Sequence, residues 1–463
     1  ARLEEQESPH LAHWGAFSVR VRDDRIVGIE PHPDDPAPSP LIENLVDGVR
    51  HPSRVARPAI RRGWLQDGPG ADDRRGADDF VEVGWPDAIR ILAGELRRVR
   101  DRHGPASIYG GSYGWASAGR FHHAQSQVHG FLNTIGGYTS SVNTYSDGAA
   151  EVILPHVVGR IGHHELTELG TSWDALLEHT DLVVAFGGMN PKNAAVSYSG
   201  VTRHELVPSL RAAADRGLRF DLFSPLRTDL PLELDAAWHP IAPGTDTAVM
   251  LAIAHVLIDE GLHDTTFLER YCVGGDRLIG DVLGEGNGPP RTPEWASRIS
   301  GVPAETIRDL ARRMAAGRTF VSVSFSLQRM QHGEQPVWMG LALAALLGQI
   351  GLPGGGFGHG YASVAKVGAS AYRHPLPTFP QGTNPVTSFI PVAQITHLLE
   401  HPGGMLEYDG RVLDLPDVRL VYWCGGNPFH HHQDLGRLRR AFRGLDTVVV
   451  HEPYWTATAH HAD

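Results

Sequence analysis

The chain has 463 residues, with 41 Lys and Arg against 53 Asp and Glu, a net charge of −12 with histidine neutral. That acidic balance excludes nucleic acid or an anionic membrane as the main partner, since both need a basic face. Hydrophobic residues at 41% exclude a largely disordered chain. Two cysteines, Cys272 and Cys424, exclude a disulfide framework, a four-thiolate zinc site and a cysteine-held iron–sulfur cluster. Lysine occurs only at Lys192 and Lys366, so nearly all the basic residues are arginine.

Residues 1–55 predict a β-rich amino-terminal domain, with short strands at 17–21 and 25–29 and a proline-rich segment at 31–40. Residues 67–79, rich in Gly, Asp and Arg, read as a loop. A strand at 80–83 then leads into a helix with Pro86 in its first turn and Ile89, Leu92, Leu96 and Val99 at helical spacing. From there one device repeats. Apolar runs at 106–109, 182–186, 219–223, 319–325 and 418–424 each end in a turn, and a helix usually follows. The turns are 110–115, 187–192, 224–227, 326–329 and 425–428. Alternating strand and helix signals predict an α/β fold with parallel sheets. Ligands of such sheets bind outside the carboxyl ends of the strands, where these turns fall. The expected domains are 1–55 (β-rich), 56–165 (the first half of an α/β domain), 166–324 (α/β, dinucleotide-binding-like) and 325–463. The last returns to the first α/β domain, with an irregular excursion at about 360–391. The apolar stretch 336–350 is shorter than the roughly 20 residues a membrane span needs and reads as a buried helix.

The common nucleotide signatures are absent: neither a P-loop nor a G-x-G-x-x-G after a strand occurs. Several separate turns point instead to one extended ligand touched at many places. The run His430-His431-His432 cannot converge on a metal as an i, i+4 helical pair does, so solvated or hydrogen-bonding histidines outweigh a zinc site. Ser146 lacks the flanking glycines of a nucleophile elbow, which weakens a serine-hydrolase reading.

A set of short motifs, in order and spread over nearly the whole chain, resembles the dimethyl sulfoxide reductase family of molybdenum enzymes. The branch is that of sulfoxide, biotin sulfoxide and trimethylamine N-oxide reductases. The motifs are His13-Trp14-Gly15, Gly110-Gly111-Ser112-Tyr113-Gly114-Trp115, Tyr145-Ser146 and Pro155-His156-Val157-Val158-Gly159. They continue with Gly244-Thr245-Asp246, Gln328-Arg329 with Gly333-Glu334-Gln335, Gly348-Gln349-Ile350-Gly351 and Pro353-Gly354-Gly355-Gly356. The last are Gly425-Gly426-Asn427-Pro428-Phe429 and His431-His432-Gln433-Asp434.

The resemblance implies molybdenum held between two molybdopterin guanine dinucleotides, whose sulfurs supply the soft ligands that a cysteine-poor chain lacks. It implies Ser146 as the protein's oxygen ligand to the metal. Asn143-Thr144 stand before Tyr145 where the family usually has Gly-Asp. Tyr113 and Trp115 match an aromatic pair that hydrogen-bonds the transferred oxygen, and Trp115 also touches cofactor. The tyrosine goes with sulfoxide rather than amine N-oxide reduction. Cofactor contacts are expected at Asn190, Lys192, Ser224, Arg227, Gly244, Thr245 and Asp246, the last reading a guanine edge. Further contacts are expected at Leu327, Gln328, Arg329, Gly426, Asn427, His431, Gln433 and Asp434. Phe325 stands where the family often has tryptophan.

The implied activity is oxygen-atom transfer from a small S-oxide or N-oxide, with electrons from a flavoprotein or cytochrome donor. Two rivals remain: a molybdopterin hydroxylase or transhydroxylase on the same scaffold, and a non-catalytic cofactor-binding fragment. Biotin sulfoxide reductases imply a cytoplasmic setting; the exported members imply a periplasmic one. His461-Ala462-Asp463 match a motif that in the family runs on into another strand and a carboxy-terminal domain, so a fragment of a longer enzyme is expected.

Overall fold

A computed structural model describes residues 5–111, 123–159, 166, 169–198, 200–286, 288–370 and 377–463. In chain order its strands begin with β1 (Gln6–Ala12), β2 (Gly15–Arg22), β3 (Arg25–Pro31), β4 (Ala59–Arg61), β5 (Phe80–Glu82) and β6 (Ile108–Gly111). They continue with β7 (Ser140–Val142), β8 (Leu182–Phe186), β9 (Arg219–Phe223), β10 (Ala237–His239), β11 (Thr319–Val323) and β12 (Gly356–His359). The last are β13 (Phe389–Pro391), β14 (Met405–Tyr408), β15 (Arg411–Asp414), β16 (Leu420–Cys424) and β17 (Thr447–His451).

The amino-terminal sheet β1-β2-β3 is antiparallel throughout. Asp23 and Asp24, at φ 51° and 59°, form the two-residue link between β2 and β3. Two left-handed residues match the twist of a tight hairpin, and aspartate tolerates that conformation better than most. One face buries Phe17 with Ile42 in a small cluster of its own.

The five-stranded sheet, in order β10-β9-β8-β11-β12, is parallel at every pairing. Strands β8 and β11 are buried at every residue, as a parallel sheet covered on both faces requires. Alternate residues of β8 point opposite ways. Leu182, Val184 and Phe186 join one core cluster with the helices Asp246–Asp259, Ala304–Ala316 and Glu334–Leu346. Val183 and Ala185 join a second cluster with Trp173–His179 and Leu206–Arg216. The helix Asp246–Asp259 is apolar nearly all round because other helices surround it.

The smaller parallel sheet, β17-β16-β6, has core clusters on both faces and joins the distant segments 108–111 and 420–451. Tyr109 and Trp423 stack across it at 5.9 Å. The loop at 67–79 is tied down from inside: the fully buried Arg75 donates to Asp463 at 2.6 Å and to the carbonyl of Leu445 at 3.1 Å. Strand β12 pairs with β11, so the five-stranded sheet takes its last strand from beyond residue 324. The crossing back to the smaller sheet therefore comes after His359, later than the boundary expected at 325. The glycine run 354–356 turns the chain into that extra strand.

Packing on β11 and β12 sets a test. A methyl group at Gly340, on the helix Glu334–Leu346, would sit 2.6 Å from Val323 and 3.1 Å from Phe357. One at the exposed Gly94, on the helix Trp85–His103, meets nothing within 4 Å. Gly94→Ala should stabilise by about 0.5–1 kcal/mol, whereas Gly340→Ala should destabilise by about 1–3 kcal/mol through overpacking. Denaturant titration of both variants checks this; a stabilised Gly340→Ala would contradict the packing described.

Candidate functional site

In the five-stranded sheet every strand runs the same way, so the turns after β8, β9 and β11 lie along one edge. Gly187 and Gly188 leave β8 at φ 81° and 79°. A side chain on Gly187 would run into the hydroxyls of Ser324 and Ser326, and one on Gly188 into Asp229. Asn190 donates to the Thr228 carbonyl at 3.1 Å, and a side-chain carbon on Gly244 would lie 3.4 Å from Met330 sulfur. The turns holding Asn190, Lys192, Ser224, Arg227, Gly244, Thr245, Asp246 and Leu327 are thus brought together. Lys192 and Arg227 are exposed there. The hydroxyl of Ser224 already donates to Asp229, and that of Thr245 donates to the Ala242 carbonyl at 2.7 Å. Leu327 is in the core, which leaves its backbone for any ligand contact.

Asp246 is different. It opens the helix Asp246–Asp259, is 3% exposed, and its Oδ1 is buried with no hydrogen-bond partner among the described residues. Burial pushes its carboxyl from an ordinary value of 3.8 up to about 6. An acceptor buried without a donor costs free energy in the ligand-free chain. Its setting among glycine turns suits a ligand that brings N–H donors.

Ser146 stands where this edge meets the smaller sheet. Its carbonyl accepts from Gln328 Nε2 at 2.6 Å and from Arg329 Nε at 2.9 Å. Gln328 Oε1 in turn accepts from the backbone N–H of Ala149 at 2.8 Å. One amide therefore grips the chain on both sides of the turn that leads into the helix Gly148–Val158. Gln328 is only 4% exposed, which makes it a support of the serine backbone here. The Asn143-Thr144 pair fits the same turn. Asn143 is left-handed at φ 63°, which asparagine accepts more readily than other residues with side chains. Thr144 Oγ1 accepts from the N–H groups of Ser146 at 3.2 Å and Asp147 at 3.3 Å, as an aspartate oxygen does in an Asx turn. Phe325 packs against His359 at 4.8 Å, with room made by Gly360.

From the smaller sheet, β16 ends in Gly425 and Gly426 at φ 71° and 67°. Asn427 accepts with Oδ1 from the N–H of Thr458 at 3.2 Å and from its hydroxyl. Asp434 caps the helix Leu435–Arg443 by accepting from the Arg437 N–H at 3.1 Å, and Gln433 beside it is exposed. His431 stacks on Tyr145 at 6.1 Å. Burial and the charges of His430 and Arg329 lower its pKa, which places Arg329 and His431 in one field. Tyr113 and Trp115 follow β6 in the sequence and lie outside the described residues. Tyr145, Asn143 and Asp229 shape the site without having been expected to. The left-handed preference of asparagine was the one signal for Asn143; nothing in the sequence singled out Asp229. A cleft of about 400 Å³ lined by Trp64, Phe80, Trp85 and Val450 runs along β17 and holds none of the expected site residues.

The molybdopterin oxidoreductase family model matches residues 54–463, and the model of that family's amino-terminal domain matches residues 10–50. The chain belongs to the molybdopterin oxidoreductase family. Membership implies molybdenum and a molybdopterin cofactor. The chain is 46% identical over 438 residues to a biotin sulfoxide reductase of Cereibacter sphaeroides, covering 94% of this chain and 59% of that protein. It is 40% identical to a dimethyl sulfoxide/trimethylamine N-oxide reductase of Rhodobacter capsulatus, covering 98% of this chain and 56% of that protein. A trimethylamine-N-oxide reductase of Haemophilus influenzae is 38% identical, with coverage of 98% and 56%. The chain thus spans a little over half the length of these relatives. Acetylene hydratase from Pelobacter acetylenicus shares the fold, with a TM-score of 0.62 at 17% identity over 98% of this chain and 62% of its own. Among the described residues no helix is long and apolar enough to cross a membrane.

The residues fit the cofactor of a molybdopterin oxidoreductase: glycine turns leave an open edge, and the Asp246 acceptor lacks a donor. A raised carboxyl pKa costs no stability below its unfolded value, costs progressively more up to its folded value, and costs most above that. Asp246→Asn should therefore leave the cofactor-free protein nearly unchanged at about pH 3 and stabilise it by about 2–3 kcal/mol at about pH 8. Thermal melts at the two pH values check this, and equal melting at the higher pH would contradict the buried, unpartnered carboxylate.

Proposed function

We propose that the chain carries the metal-binding core of a molybdenum-dependent reductase that removes oxygen from S-oxides or N-oxides. Biotin sulfoxide, methionine sulfoxide or dimethyl sulfoxide are favoured over trimethylamine N-oxide. The observation that carries this reading is the placement of Ser146. It lies at the junction of two parallel-sheet edges, its backbone held by Gln328 and Arg329, beside the His431–Tyr145 stack. Bound molybdenum, held between two molybdopterin guanine dinucleotides, would supply the two-electron chemistry of oxygen transfer. The net reaction takes up two electrons and two protons per oxide and releases the reduced substrate and water.

The residues have separate tasks. Ser146 supplies a hard oxygen ligand to the metal, and its side chain can be aimed only as well as its backbone is held. Asp246 accepts from the N–H donors of one guanine and so removes the cost of its own burial. Lys192 would set a compact cation beside a bound pterin and so favour the reduced, more negative state of the cofactor. Tyr113 and Trp115 would donate an O–H and an N–H to the substrate oxygen and so stabilise charge that grows on it. Electrons come from a flavoprotein or cytochrome donor. The setting proposed is cytoplasmic, with a periplasmic one as the alternative.

Replacement of the ligand tests this directly. In the full-length protein isolated with its cofactor, Ser146→Ala should abolish oxide reduction with a reduced viologen donor. Wild type should prefer S-oxides to trimethylamine N-oxide. Undiminished turnover in Ser146→Ala would overturn the ligand assignment, and turnover of N-oxides alone would overturn the role given to Tyr113.

A further inference from the structure

The tyrosine next to Ser146 is built into a hydrogen-bonded chain that the proposed reaction does not use. The Tyr145 hydroxyl lies 3.1 Å from the Val392 carbonyl and 3.0 Å from Nδ1 of His432. Nε2 of His432 lies 2.6 Å from the Thr396 hydroxyl. Both His432 and Thr396 are more than nine-tenths buried, at 8% and 5% exposed, whereas His430 and His431 in the same run are exposed.

One proton arrangement of a neutral ring satisfies all three contacts. A carbonyl can only accept, so Tyr145 donates to Val392 and accepts from the Nδ1–H of His432. Nε2 is then bare and accepts from the Thr396 hydroxyl. Burial favours the neutral ring and lowers the His432 pKa to about 4. The rings lock as well: His432 meets the Tyr145 ring edge-on at 5.8 Å and 88°, while His431 stacks on it at 25°. The His432 backbone is anchored by donation to the Pro428 carbonyl at 2.8 Å.

We propose that His432 is a positioning residue for Ser146: held as its Nδ1–H tautomer by Thr396, it fixes the Tyr145 side chain and so the peptide that presents the serine. Gln328 and Arg329 hold the carbonyl side of Ser146, and the His432 chain holds the residue before it. Together they leave the serine little freedom to turn away. Partners that orient a ligand in this way typically change activity by about 10–100-fold when removed. The inference rests on the reading of Ser146 as the metal ligand.

The test uses full-length protein carrying its cofactor. His432→Phe should lower kcat for oxide reduction by about 10–100-fold with little change in KM. His432→Gln, which can donate and accept along the same line, should recover most of the loss. Combining His432→Phe with Tyr145→Phe should lower kcat no further than the larger single effect, because the two act as one unit. Histidine-selective 15N NMR, with the His432 signal assigned from His432→Gln, should show the Nδ1–H tautomer at neutral pH with or without cofactor. Unchanged kcat in His432→Phe, additive losses, or an Nε2–H tautomer would overturn the proposal. Full activity in Ser146→Ala would instead remove the ligand reading, and the tautomer would still decide whether the chain of hydrogen bonds exists.

Discussion

One side-chain amide holds the centre of the molecule in place. Gln328 donates to the carbonyl of Ser146 and accepts from the N–H of Ala149, so it bridges the turn before the helix Gly148–Val158 from both sides. Both bonds form where Gln328 is buried, so leaving either group unmet would cost about 1–3 kcal/mol. Gln328 lies in the short helical turn after β11 of the five-stranded sheet, while Tyr145 packs on histidines that follow the smaller sheet. The serine turn is therefore the joint between two α/β units distant in sequence.

The parallel sheets make that joint possible. Each strand delivers its carboxyl end to one edge, and glycines at those ends let neighbouring turns approach without side chains between them. Gly187, Gly188 and Gly244 lie against Ser324, Asp229 and Met330 in this way. The cost of that arrangement is visible at Asp246, whose buried Oδ1 has no donor among the described residues. A site that binds a large cofactor at many points can carry such a defect, because the ligand that occupies it supplies the missing hydrogen bonds.

Much of this was legible from the residues. The runs at 182–186 and 219–223 are strands with the bounds expected: the first is the uninterrupted apolar stretch that a doubly covered parallel strand needs, and the second buries its one interior charge, Asp221, against Arg313 and His239. The helix after Gly84 follows the spacing of its apolar residues, and Pro86 sits in its first turn. Strand β12 was not legible. Gly356–His359 has neither alternation nor a branched apolar run, and only pairing with β11 makes it a strand. At the site, the motif positions of Ser146, Gln328 and Asp246 could be marked, but not their division of labour. Gln328 could be marked as a motif position, but its grip on the serine turn through both ends of its amide could not. His431 was marked as a cofactor contact and His432 was not, since three consecutive histidines carry no mark of which one points inward.

The central proposal is that Ser146 is the oxygen that the protein would give to the metal. Molybdenum K-edge X-ray absorption of the full-length protein, compared between wild type and Ser146→Cys, tests it most directly. Loss of one oxygen neighbour and gain of one sulfur at the metal is the expected result. An unchanged set of neighbours would show that Ser146 does not reach the metal, and that the Gln328 bridge supports a turn for some other purpose.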